Sequence, residues 1–370
     1  MRIFYKQKGE YMDSKHDRIV QKNLKLHEGL IKKSNDTEEF SLAEEVFSRL
    51  QFHSEGFKPN FFTSKNLAVL SLTSKTLRNF ALPEQNLRAA QKLLTHVILG
   101  EQIEAETMIK HNPELLLIKS RSKDYANRTI IATPFQAAIG AGDKPMWSMI
   151  LPYFKDLEKT EASQQFQEQF PNEIKDEISA DKLIENYNKI ALAIINDDNS
   201  YFSLMEKFRK EFTLTKVIKQ GSHFNLQHLI AAYQAFINNL NNFNTQDKKD
   251  LFFKQIIGYV QRQLTAYDAQ ILCSGIKKVL DDETFFERKL DLYKGKVFFP
   301  LIDNSGLGYD FACISYFEGE AKEKSILPAN VAGGWRGVIK LLSKLDDTKT
   351  KALSELERTL CHNLSPDLYF

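Results

Sequence analysis

Three hundred and seventy residues, at roughly 150 per domain, predict two or three domains or one long helical array. Sixteen glycines and ten prolines make up 7% of the chain, against about 12% in an average protein. That shortage of turn residues disfavours a many-stranded sandwich or propeller and favours helices. A formal charge of +2, from 50 basic and 48 acidic residues, excludes a dominant nucleic-acid or membrane-surface field. With 42% hydrophobic residues the chain can bury a core, and the 27 phenylalanines are read as filling it.

Met1 to Asp17 is polar and charged and carries no secretory signal. No window of 18 apolar residues occurs, so no membrane span is expected. Three scattered cysteines, Cys273, Cys313 and Cys361, fit neither a disulfide framework nor a paired zinc site. They point to a reducing compartment and a cytoplasmic protein.

In chain order, residues 1–37 read as a charged arm with one helix from Lys15 to Lys33. Residues 38–82 read as a helical hairpin. Leu42, Val46, Phe47 and Leu50 form one helix face behind Ser41. After Gly56 and Pro59, a second helix is capped by Ser64 and carries Leu67, Leu70, Leu72 and Leu77. Pro83 marks a junction, and residues 83–157 resume helices around a breaker at Asn112-Pro113 and a polar arm from Lys119 to Arg128. Leu157 to Asn172, rich in Glu, Gln and Lys, reads as a linker or as a solvent-exposed helix.

Residues 173–370 form a C-terminal helical domain. Its pieces are Ile174 to Ile195, Tyr201 to Phe212, Asn225 to Leu240, Gln246 to Leu264, Thr265 to Leu280 and Val338 to Leu360. Asn225 and Thr265 are the expected N-caps, with Asp268 completing an acidic capping box. Short β-type runs between Lys296 and Ile326 predict one small hairpin. The expected class is therefore mainly all-α with a minor β element.

The run Leu42-Ala43-Glu44-Glu45-Val46-Phe47-Ser48-Arg49-Leu50, followed by Asn66 to Arg78, resembles an F-box. The resemblance implies that Leu42, Val46, Phe47, Leu50, Leu67, Leu70, Leu72 and Leu77 contact the adaptor Skp1 and recruit a cullin ubiquitin ligase. Ala43 stands where F-boxes usually have proline, and residues 53–61 separate the two halves.

Gln91 to Phe154 resembles ankyrin repeats. Thr133-Pro134-Phe135-Gln136-Ala137-Ala138 stands where that family has Thr-Pro-Leu-His-x-Ala, with Gly142-Asp143 opening the second helix. Leu93, Leu94, Val97 and Gly100 make a diverged upstream copy. Gly100 and Gly142 are 42 residues apart, longer than the 33 of the family, the excess lying around Leu115 to Ile131. The resemblance implies a partner surface at Thr133, Phe135, Gln136, Asp143 and Trp147.

The two segments together look like effectors of Legionella-type intracellular bacteria, delivered into the host cytosol by type IV secretion. Gln263 to Gly275, Phe298 to Leu301 and Ser305 to Phe311 also look like segments of such ankyrin-like effectors. This implies a protein that recognises an unidentified host protein, Skp1 among the expected partners, and no particular activity.

Signals for chemistry are sparse, and no cofactor or metal is expected. Adjacent Cys361 and His362 diverge on a helix, Cys273 and Cys313 sit on apolar runs, and His223 and His228 flank a helix start. Ser305-Gly306-Leu307-Gly308 lacks the rest of a phosphate loop. Gly333-Gly334-Trp335-Arg336-Gly337 reads as a hinge, or as a ligand or partner loop, before the last helix. Two alternatives to an adaptor stay open. One is an enzyme assembled from dispersed cysteines and histidines, the other a scaffold that binds without a ligase.

Overall fold

The computed structural model describes residues 62–73, 75–158, 160–171, 179–214, 216–291, 298 and 335–362. It is mostly helical with a small three-stranded sheet, so the mainly all-α class with a minor β element holds. The chain divides into two compact units, residues 1–89 and 90–370.

In the first unit, α1 (Ser64–Thr73) starts one residue earlier than its expected cap implies: Thr63 Oγ1 accepts from Asn66 N at 3.2 Å. α2 (Lys75–Ile98) follows. Phe62, Leu67, Leu70, Leu77 and Ala81 form this unit's core, with Phe80 edge-on to Phe62. The junction expected at Pro83 is instead inside α2. Proline removes one backbone donor, but Pro83 is solvent-exposed while Leu77 and Ala81, a turn or two before it, are buried. Packing on that buried side keeps the helix continuous.

In the second unit, the end of α2 leads to α3 (Gln102–His111), a 3₁₀ turn (Pro113–Leu117), β1 (Ser120–Lys123) and β2 (Thr129–Ala132). The polar arm expected at 119–128 is thus a strand and a turn. β1 pairs antiparallel with β2 from Ser120↔Ala132 to Lys123↔Thr129, and β2 pairs in parallel with β3 (Val217–Ile218). The sequence Ser-Arg-Ser-Lys hides this strand because only Ser120 is buried. The turn is fixed locally: Asn127 adopts φ 62°, and Asp124 accepts from Arg128 N at 2.9 Å and from Arg128 Nε at 2.7 Å.

α4 (Pro134–Ala141) and α5 (Lys144–Ile150) form the next pair, and α6 (Glu161–Gln169) follows a second 3₁₀ turn. Of the two readings of residues 157–172, linker or solvent-exposed helix, neither describes α6, which buries Ala162, Ser163, Gln165, Phe166 and Gln169. α7 (Ala180–Ile195), α8 (Ser200–Leu214) and α9 (Gln227–Asn239) come next. α9 packs along α7 and against the long last helix, α14 (Trp335–His362).

Gln246 to Leu264 is not one regular helix. A π turn (Phe253–Ile257) joins α10 (Gln246–Phe252) to α11 (Gly258–Gln261). The widened turn puts Phe252, Phe253, Ile256 and Ile257 all in the core. Phe253 and Phe243 pack on Phe236 at 4.3 and 5.5 Å, which is where part of the phenylalanine excess goes. Thr265 caps α12 (Ala266–Ser274) as expected. Gly275 at φ 99° then breaks the chain before α13 (Ile276–Asp281).

The hairpin expected between Lys296 and Ile326 lies outside the described residues apart from Phe298, which is buried. Of the glycine-dense hinge segment, Trp335 to Gly337 belong to α14.

Candidate recognition surface

Two helix pairs frame the β-hairpin. Each turns through a glycine in the left-handed region, Gly100 at φ 73° between α2 and α3 and Gly142 at φ 69° between α4 and α5. The second pair starts on a complete capping box. Thr133 Oγ1 accepts from Gln136 N at 3.2 Å, and Gln136 Oε1 accepts from Thr133 N at 3.1 Å. Gln136 also donates to Gln165 O and Glu168 Oε2, tying α4 to α6.

The five ankyrin-like residues Thr133, Phe135, Gln136, Asp143 and Trp147 are all buried. Phe135 packs edge-on to Phe154. Their place is therefore the interior of the helix pair, and they present no face to a partner. Exposure lies elsewhere: Ile103 is 77% and Leu117 42% exposed. Ile103 starts a solvent-facing row on α3 that continues through Thr107 and Lys110, the spacing of one helix face.

The glycine side of both turns is occupied by the chain's own C-terminal helices. A Cβ at Gly100 would lie 2.5 Å from Gln270 Nε2, and one at Gly142 would overlap Lys349 Cε. Gln270 comes from α12 and Lys349 from α14. Behind them lies a charged network. Arg288 forks onto Asp143 at 2.6 and 2.7 Å and also donates to Gln102 and Gln270. Lys349 Nζ donates to Asp268 Oδ1 at 2.5 Å, and Thr265 Oγ1 donates to Asp268 Oδ2 at 2.7 Å. Asp143 Oδ1 also caps α5 by accepting from Met146 N.

Sequence reasoning missed Arg288, Gln102 and Gln270, for which no local signal exists. Lys349 had one: it falls four residues after Leu345 and four before Leu353, on the buried stripe of α14. A lysine at a core position asks for a buried anion.

Of the F-box-like residues, Leu42, Val46, Phe47 and Leu50 lie outside the described residues. Leu67, Leu70 and Leu77 are buried in the first unit's own core. Leu72 is 79% exposed, and Val69 beside it is also exposed.

Cys273 is buried, and burial pushes its thiol up to about 12, so it is not a ready nucleophile. Cys361 is exposed, and Cys313 lies outside the described residues. Among the described residues no group of three or more His, Cys, Asp or Glu is placed to hold a metal, and no helix is long and apolar enough to cross a membrane.

His228 meets Tyr187 Oη at 3.1 Å in an aromatic cluster with Phe212 and Phe224. His223 is buried against Gly140, where a Cβ would lie 2.5 Å from its Nε2. Its backbone N–H donates to Gly140 O, and its carbonyl accepts from Arg128. Desolvation first, then the charges of Arg128 and Lys349, lower its pKa to about 3.

A histidine depressed below its ordinary 6.5 binds its proton in the unfolded chain first. Its contribution is therefore complete above pH 6.5 and is lost as pH falls toward 3. By pH 4 the loss is roughly 3 kcal/mol from His223 alone. Urea melts of the wild type and His223→Gln at pH 7, 5.5 and 4 check this. The variant's acid dependence is expected to be shallower, and parallel slopes would refute the assignment.

No known protein family, curated protein or solved structure matches the chain.

Proposed function

We propose that the chain acts by protein–protein recognition, through the exposed face of α3 and the 3₁₀ turn after it. The carrying observation is the twofold helix–glycine–helix unit around a β-hairpin, with Gly100 and Gly142 in the same backbone conformation. This supports the ankyrin-like resemblance. Gln270 and Lys349 occupy the glycine turns, so the proposed contact uses exposed Ile103 on α3 and exposed Leu117 in the turn after it. Each offers a partner apolar area to bury on contact.

A photo-crosslinking residue at Ile103 tests the surface. In host cytosol it should give one discrete adduct that excess unlabelled protein suppresses. Diffuse labelling that does not compete would overturn it.

In its specific form the reading is a type IV effector that recruits the Skp1–cullin ligase in the host cytosol. The exposed Leu72 and Val69 on α1 support it. Buried Leu70 is not one of its contacts. Titration of purified Skp1 should show binding in the micromolar range. Leu72→Asp should weaken it about tenfold, the loss of one apolar anchor, with the helical content unchanged. Absence of binding at tens of micromolar removes the ligase role and leaves the α3 surface to its own test.

A further inference from the structure

The second unit contains a cavity of about 250 Å³ where α5, α12, α13 and α14 meet. Its walls are mainly apolar, with Ile271, Leu280, Phe286 and Leu345 prominent. Five polar side chains also line it, Lys144, Tyr267, Glu283, Thr348 and Lys349. Lys144 is paired with Glu283, and the Thr348 hydroxyl donates to Lys344 O. Lys349 carries three N–H donors; among the described residues its ammonium makes one hydrogen bond, to Asp268, and lies 5.9 Å from the centre of the Tyr267 ring. Tyr267 packs edge-on to Phe286 at 5.4 Å, and its hydroxyl has no hydrogen-bond partner among the described residues. The lining thus combines a large apolar body with unspent donors, the composition of a small-molecule site.

The surrounding charges decide what such a molecule is. Lys349 is paired with Asp268, Arg288 with Asp143, and on the solvent side Lys144 with Glu283. Among the described residues each of these three cations has its anion, so an anionic head would meet no surplus positive charge from them. A neutral acceptor carries no such penalty. Burial, then the charges of Asp143 and Asp268, raise the Tyr267 pKa, which keeps the phenol a donor. For size, a cavity of about 150 Å³ accepts benzene, so this one holds about ten non-hydrogen atoms by the same proportion.

We propose that this cavity binds an uncharged, mainly apolar molecule of about ten non-hydrogen atoms bearing one acceptor such as a carbonyl, seated on the donors of Tyr267 and Lys349. None of its lining residues belongs to the α3 surface, and the inference does not rest on the recognition reading.

The test is methyl NMR of the full chain titrated with acetanilide, and with phenylacetate as the anionic probe of the same size. Acetanilide should shift the Ile271, Leu280 and Leu345 methyl signals saturably, with a Kd of about 1 mM or tighter. Phenylacetate should bind at least about tenfold more weakly. Ala352→Phe, which fills the cavity from α14, should abolish the shifts while the thermal melt stays cooperative. Tyr267→Phe, which removes only a hydroxyl, should weaken acetanilide about fivefold, and it carries the test should the filled variant not fold. No saturable shift with acetanilide, preference for phenylacetate, or unchanged binding in either folded variant would each overturn the proposal.

Discussion

Replacing Asp143 by alanine is expected to lower the stability of the 90–370 unit by about 4 kcal/mol. The Asp143 carboxylate does two things at once. It receives both arms of the Arg288 guanidinium, at 2.6 and 2.7 Å, and its Oδ1 caps α5 through Met146 N at 3.0 Å. Alanine removes the cap, worth about 1 kcal/mol. Among the described residues it also leaves a largely buried guanidinium with no anion, only the neutral oxygens of Gln102 and Gln270 and the rings of Tyr267 and Phe286. Losing one partner of a buried pair costs about 3 kcal/mol or more because the other charge stays desolvated.

Asp143→Asn keeps an oxygen for the cap and should cost less than the alanine change. Calorimetry reads the outcome, since in a unit of this size each kcal/mol moves Tm by about 2 °C. A double cycle with Arg288→Gln should give a coupling of at least about 1.5 kcal/mol. Additive single effects would show that the two side chains do not act as a pair.

The second large effect is at Lys349. Lys349→Met suits the apolar stripe of α14 by shape, yet it is expected to destabilise the unit by about 3 kcal/mol. The reason lies 81 residues away. Asp268 is fully buried, and without Lys349 its carboxylate keeps, among the described residues, only the Thr265 hydroxyl. Pairing the change with Asp268→Asn removes the stranded charge, so the double variant should recover at least half of the loss. Urea unfolding at neutral pH measures both. A double variant as unstable as the sum of its singles would contradict the buried-pair account.

Much of the local structure was legible in the sequence. The stripe Val338, Leu342, Leu345, Leu353, Leu356 and Leu360 announces α14, and every member is buried. Thr133-Pro134 with Gln136 and Gly142 announces a capped helix and its turn, and glutamine in place of histidine still closes the box. Thr265 was legible for the same reason. These signals work because each joins residues within one or two helical turns.

Less was legible where one sequence pattern serves two outcomes. Leu70 and Leu72 sit two residues apart in an apolar run, and only packing buries the first and exposes the second. The strand Ser120–Lys123 has no apolar alternation because just one of its side chains faces inward. Phe135 and Trp147 match the repeat signature, but a signature marks positions in a fold and does not say which are exposed. Their burial moves the proposed recognition surface to Ile103 and Leu117, which carry no motif.

The sequence alone determined the class, most helices, the caps at Thr133 and Thr265 and the two glycine turns, since these depend on neighbours along the chain and on composition. The tertiary structure decided which charges are buried and what they meet. Arg288 reaches Asp143 across 145 residues and Lys349 reaches Asp268 across 81. Nothing in a local pattern encodes such a meeting. It is set by how α12, α13 and α14 close over the glycine turns, and the same closure shapes the cavity beside them.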